Sequence, residues 1–173
     1  LYLMGLMNSV LSRVLIQDLS PTVNFEVGQI AKTPILLNQD SHKLELIQQN
    51  IDISKQEWDS RETSWDFASN VLIKHKSDSS IEAAYTNYCN YWQNQHNTLH
   101  QNEEELNRLF IDIYGLEDEL TAEVDLKDIT ILKNETKIVD DELVFQADEI
   151  IKQLISYSIG CMFGRYSLDQ PGL

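Results

Sequence analysis

Two histidines, His96 and His100, stand four residues apart in a stretch whose pattern predicts a helix, which places both imidazoles on one face. Zinc sites use this spacing, but they need a third and a fourth ligand. Glu103 and Glu104 lie one turn on and Cys89 two turns back. The plainer reading, a solvated polar face on a long helix, is the expectation. A second cluster, Asp59, Glu62 and Asp66, has the carboxylates of a metal-dependent nuclease. Such a site needs a lysine among its carboxylates on a strand framework, and the sequence sets none beside them. These acids are therefore expected as solvated loop residues. The Glu103–Glu105 run and the acids of 117–142 are expected on exposed faces too.

Trp58, Trp65 and Phe67 interleave with that second cluster. Aromatic faces stack on the bases of single strands, and they also plug loops into helical cores. The surrounding acidity favours the core. There is no Gly-rich phosphate loop, no Ser/His/Asp set and no reactive Cys/His pair, and Gly28, Gly115 and Gly160 read as isolated punctuation. Cys89 and Cys161 sit in helical surroundings without a paired motif, as reduced, buried thiols of a cytoplasmic protein would. No catalytic, cofactor-binding or metal-ligating residue is assigned.

The elements that position these residues are mainly helical. Leu3, Leu6, Met7, Val10, Leu11, Val14 and Leu15 predict a helix over 2–17, stopped by Ser20-Pro21. Alternation of Val23, Phe25 and Val27 with Thr22, Asn24 and Glu26 predicts a strand within 22–35. A helix from Ser41 to about Trp58, capped by Ser41, would turn Leu44, Ile47, Ile51 and Ser54 inward. Residues 59–79 read as irregular. From Ser80 to about Tyr114 one face carries Ala84, Tyr88, Trp92, Leu99, Leu106 and Phe110, with Gly115 as a left-handed cap. That helix would be about 50 Å long unless it breaks among the polar residues 94–102. An acidic connector follows. Asp140-Asp141-Glu142 would open a last helix, whose apolar face from Leu143 to Phe163 should be buried. The expected fold class is mainly α: a helical bundle with one long helix and a short β segment near the N-terminus.

The chain has 173 residues, 42% of them hydrophobic and 24% charged, a globular balance. Its formal net charge of −15 is uneven. Residues 1–38 are neutral, with Arg13 and Lys32 against Asp18 and Glu26, and the remainder holds 11 basic against 26 acidic residues. Such a surface repels phosphate, because DNA affinity rests on Lys and Arg releasing counterions. Residues 39–173 should not bind DNA unaided. The apolar start is interrupted by Asn8 and Arg13, lacks a signal-peptide leader, and is too short to span a bilayer. Neither Leu1 nor Leu173 reads as a natural terminus, so the chain is expected to be a piece of a longer protein.

Four runs carry a family resemblance. Leu6-Met7-Asn8-Ser9, then Ser20-Pro21-Thr22-Val23-Asn24-Phe25-Glu26-Val27 on to Pro34-Ile35, resembles the closing segment of target-recognition domains in restriction–modification proteins. There a helix with a Leu-Asn-Ser element leads to a strand and a Pro-Ile exit. Trp58-Asp59-Ser60 through Thr63-Ser64-Trp65-Asp66-Phe67 is similar to a tryptophan pair just after that domain in large adenine methyltransferases. Asn102 to Leu120, with Tyr114-Gly115-Leu116, resembles a helix end of the same enzymes. Ile159-Gly160-Cys161-Met162-Phe163-Gly164-Arg165-Tyr166 resembles a segment of BREX phage-defence methyltransferases.

The resemblance implies a parent that transfers a methyl group from S-adenosylmethionine to the N6 of adenine in a DNA motif. The family's Asn-Pro-Pro-Tyr-type catalytic motif and cofactor glycines match no run here, so no cofactor is expected in this piece. Residues 1–38 would then be the tail of a target-recognition domain and 39–173 an acidic helical domain. The implied partners are the upstream methyltransferase and recognition domains of the same chain, other defence proteins, and DNA only through the parent. Asn24, Lys32, Arg61 and Arg165 are the DNA-contact candidates, as phosphate-positioning donors. The rival reading is a free-standing acidic helical adaptor or DNA mimic, whose partner is a basic protein surface.

Overall fold

A computed structural model describes residues 1–19, 27–38, 40–77 and 79–169. It is mainly α: helices α1 (Tyr2–Met7), α2 (Val10–Leu19), α3 (Val27–Ile30), α4 (Ser41–Asp59), α5 (Val71–Lys74), α6 (Ile81–Tyr114) and α7 (Ala147–Met162) accompany strands β1 (Thr136–Val139) and β2 (Glu142–Phe145). The chain divides into two compact units, one of Leu1–Ile51 with Leu99–Asp125, the other of Asp52–Thr98 with Leu126–Leu173.

The first unit has a core of Tyr2, Leu6, Leu11, Ile47, Leu106 and Phe110. The helix expected over 2–17 is interrupted at Asn8-Ser9. The Ser9 hydroxyl donates to the Leu6 carbonyl at 2.7 Å and accepts the Ser12 amide at 3.3 Å, so it ends one helix and caps the next. Where a strand was expected, Val27–Ile30 is a helical turn, and 20–26, with Asn24, lie outside the described residues. Alternation over so few residues does not separate a strand from a turn of helix.

Asp40, not Ser41, caps α4: its carboxylate accepts the His42 amide at 3.0 Å. Ser54 is exposed and the neighbouring Ile53 is buried. In the first unit Asn107 ties two backbone groups, accepting from Val10 N at 2.9 Å and donating to Ala122 O at 3.2 Å.

The long helix α6 runs its 34 residues without the break allowed for it, and Gly115 follows it at φ +63°. Two of its polar residues within 94–102 find partners that support the helix. Asn102 donates to Gln49 Oε1 and Asn50 Oδ1, both at 2.9 Å. His100 Nε2 donates to the Val124 carbonyl at 2.7 Å.

In the second unit residues 60–70 are turns and coil, followed by short α5, which Asn70 caps by accepting Leu72 N at 3.0 Å. Among the described residues the strands form one antiparallel hairpin late in the chain, pairing Thr136 with Phe145 and Val139 with Glu142. Asp140 and Asp141 do not open a helix. They make the two-residue turn, at φ +50° and +59°, the left-handed pair a type I′ turn demands. The helix starts later, at Ala147, with Asp148 and Glu149 in its first turn. Its apolar face is only partly covered. Ile150 and Tyr157 are buried, whereas Ile155, Ile159, Met162 and Phe163 are exposed, the last two 84% and 85%. Among the described residues no helix is long and apolar enough to cross a membrane.

Candidate functional site

The chemistry-bearing residues of the second unit gather around the end of α4 and the loop after it. Helical spacing sets Lys55 one turn before Asp59 and Glu57 one turn before Arg61. Lys55 Nζ binds Asp59, and the loop brings Asp66 round to the same ammonium at 2.8 Å. Ser64 Oγ donates to Asp59 at 2.8 Å. These bonds from Lys55 and Ser64 hold the Asp59 carboxyl below its ordinary range. A lysine therefore does stand among the carboxylates, through a one-turn pair that the sequence reading passed over. Glu62 is not part of the group: it accepts Tyr166 OH at 3.1 Å and Ser156 Oγ at 3.2 Å.

The tryptophans reverse the core expectation. Phe67 is buried, edge-on to Tyr157 and Tyr166 at 5.9 and 5.4 Å between centroids. Trp58 and Trp65 are 55% and 96% exposed. Of the three rings, Phe67 is the one that packs into this core.

Beside them lies a buried ionic network. Arg61 Nε donates to Glu57 Oε1 at 3.1 Å and Nη2 also binds Glu57, while Nη2 reaches Glu135 Oε2 at 3.2 Å. Glu57 Oε1 further accepts Leu132 N at 3.1 Å, and Glu135 Oε1 accepts Gln153 Nε2 at 2.6 Å. Burial works against the Arg61 charge, but the Glu57 hydrogen bond and the Glu135 charge outweigh it, and its pKa is raised.

The expected solvated histidine face is not solvated: His96 is buried and His100 half-buried. Among the described residues no three His, Cys, Asp or Glu side chains converge where they could hold a metal ion. Cys89 is half-buried, and burial pushes its thiol up.

Of the four DNA-contact candidates, Asn24 is outside the described residues. Lys32 is exposed in the turn after α3, in the first unit. Arg61 and Arg165 belong to the second, Arg61 engaged by its two carboxylates and Arg165 exposed, 5.1 Å from the centre of the Tyr166 ring.

No protein-family model matches the chain. Two curated relatives do. Over 177 aligned residues, all of this chain, it is 38% identical to the adenine-specific methyltransferase PglX of Lacticaseibacillus casei (strain Zhang). Over 159 residues, 88% of this chain, it is 36% identical to the adenine-specific methyltransferase BrxX of Escherichia coli O9:H4 (strain HS). The chain spans only 14% and 13% of the length of these two proteins.

Proposed function

We propose, from a similarity to adenine-specific methyltransferases that runs the whole length of the chain, that this is a non-catalytic segment of such a protein, in a restriction–modification or phage-defence system. Its work is to hold the DNA target-recognition part in place. The parent would take its methyl group from S-adenosylmethionine and act in the cytoplasm.

The observation that carries the scaffold role is the bare strip on α7. Ile155, Ile159, Met162 and Phe163 recur along one helical face yet lie open to solvent. Contiguous apolar surface of this kind marks an interaction site. In a polypeptide several times longer, another part of the same chain is the natural cover.

Lys32 and Arg165, the exposed cations among the candidates, would position phosphate, with Asn24 as a further donor. Arg61 would act through the network that shapes its loop. The neighbouring acidity would keep non-specific DNA off the outer surface.

The test is site-specific adenine methylation by the parent carrying a deletion of residues 39–173. Methylation should be lost while S-adenosylmethionine still binds; unimpaired methylation would remove the scaffold reading. Charge reversal at Lys32 and Arg165 should weaken DNA binding and flatten its salt dependence. The rival adaptor reading requires that this segment's tight partner be a basic protein rather than a methyltransferase lobe, which co-purification decides.

A further inference from the structure

Helix α7 is apolar on two opposite sides. At about 100° per residue, Ile150 and Tyr157 fall on one side, and both are buried. Ile155, Ile159 and Met162 fall on the other and are 53%, 47% and 84% exposed. Half-buried Ile151 continues that second row toward the start of the helix, and exposed Phe163 follows at its C-terminal end. A helix with a polar outer face needs one layer over it. A helix apolar on both sides belongs between two. Among the described residues only the first side of α7 has its layer.

The open side has the relief that a second helix fits. Ile151, Ile155 and Ile159, spaced by four, form one ridge, and Ser158 with Met162 forms the next. The groove between such rows receives the ridge of a packing helix. Ser158 is exposed, and its hydroxyl already donates to the Leu154 carbonyl at 2.7 Å. That donor needs no water, so covering it costs little. Its small side chain also leaves room for another backbone to come close.

Charge narrows the choice of cover. At the N-terminal edge of the row Lys152 is shared by Asp148 and Glu149, at 3.2 and 2.6 Å. The surplus there is negative, which turns phosphate and anionic lipid away. A second copy of this chain would bring its own net charge of −15 against the first. A segment of the same polypeptide instead arrives at an effective concentration on the order of millimolar. The chain spans 14% and 13% of its two relatives, so most of their length lies outside it and can supply the segment.

We propose that α7 is the inner member of an intramolecular helix pair. An amphipathic helix from the rest of the parent lies along Ile155, Ile159 and Met162, closest at Ser158. Its facing stripe is uncharged, with apolar residues at steps of three and four. The inference rests on reading this chain as a segment of a longer methyltransferase.

The test places the photo-crosslinking residue p-benzoylphenylalanine at Ile155 or Ile159 of the full-length parent, with exposed Lys137 as the control position. Mass spectrometry should find α7 joined, in a product of single-chain mass, to a peptide of that pattern outside these 173 residues. The same peptide should not be joined at Lys137. Ser158→Phe, a bulky ring at the point of closest approach, should lower the yield about fivefold or more, whereas Ser158→Ala should keep it. A product of doubled mass, a crosslink confined to these residues, no crosslink at either position, or a yield unmoved by Ser158→Phe would each overturn the proposal. If deleting 39–173 abolishes methylation while α7 gives no such crosslink, the helix pair alone falls. If methylation survives that deletion while the crosslink forms, the scaffold reading alone falls.

Discussion

Arg61 meets Glu135 at 3.2 Å across 74 residues of sequence, with Glu135 only 3% exposed. The same guanidinium also holds Glu57, so one cation sits between two buried carboxylates. Removing it would leave two negative charges in a medium that cannot solvate them. Arg61→Met is therefore expected to cost about 3–5 kcal/mol, the usual result of breaking a buried ion pair from one side. Urea denaturation measures it. Adding Glu135→Gln to Arg61→Met should recover part of the loss, and a single-variant cost under about 1 kcal/mol would show that water reaches the network. The same measurement guards the DNA-contact reading, because weakened DNA binding in an Arg61 variant counts only if the fold has held.

His75 gives the stability a pH dependence of known sign. Its ring packs against Tyr91 at 4.8 Å between centroids, and burial, then the Lys74 charge, lowers its pKa. Below about pH 6.5 the unfolded chain takes up a proton here that the folded chain resists. The contribution is complete above that value and is lost as pH falls through the folded one. In urea unfolding at a series of pH values, His75→Phe should lose less stability than the wild type between neutral and mildly acid pH. Parallel curves would mean that His75 protonates freely in the fold.

How much of this was legible follows the range of each interaction. The long helix α6 could be read because Ala84, Tyr88, Trp92 and Phe110 repeat one period without a glycine or proline between them, and Gly115 closes it. Lys55–Asp59 and Glu57–Arg61 were readable as one-turn pairs, though only the fold shows that Asp66 and Glu135 join them. Asp140-Asp141 misled because acidic residues suit both a helix start and a left-handed turn. Trp65 misled because aromatic burial depends on what packs over a residue, and Phe67, two residues on, fills the core instead. The bare strip on α7 has the same pattern as a buried face, and no local signal distinguishes them.

The hairpin turn carries a strain that can be relieved. Asp140 and Asp141 both hold positive φ, a region in which a side chain's Cβ crowds the backbone. Asp141→Gly should raise stability by up to about 1 kcal/mol, less whatever glycine adds to the freedom of the unfolded chain. Asp141→Val should lower it, since a β-branched residue fits this region worst. Thermal melts of the two variants should move in opposite directions. A loss in both would mean that the Asp141 carboxylate stabilises the turn more than its backbone strains it.

Gly160 tests the packing of α7 against the segment that follows it. Within a helix, glycine to alanine ordinarily stabilises by about 1 kcal/mol. Here the Tyr166 ring lies over the glycine so closely that an added Cβ would overlap its Cδ2 and Cε2 atoms. That ring cannot simply retreat: it stacks on Tyr157 at 5.1 Å and stands edge-on to Phe67. Its hydroxyl also donates to Glu62. Gly160→Ala is therefore expected to destabilise by about 1–3 kcal/mol, the cost of overpacking, against its helix propensity. Combining it with Tyr166→Leu, which removes the ring, should shrink the penalty of the alanine. A stabilised Gly160→Ala single variant would show that Tyr166 swings away freely, and that the aromatic cluster of Phe67, Tyr157 and Tyr166 is not what fixes the end of this helix.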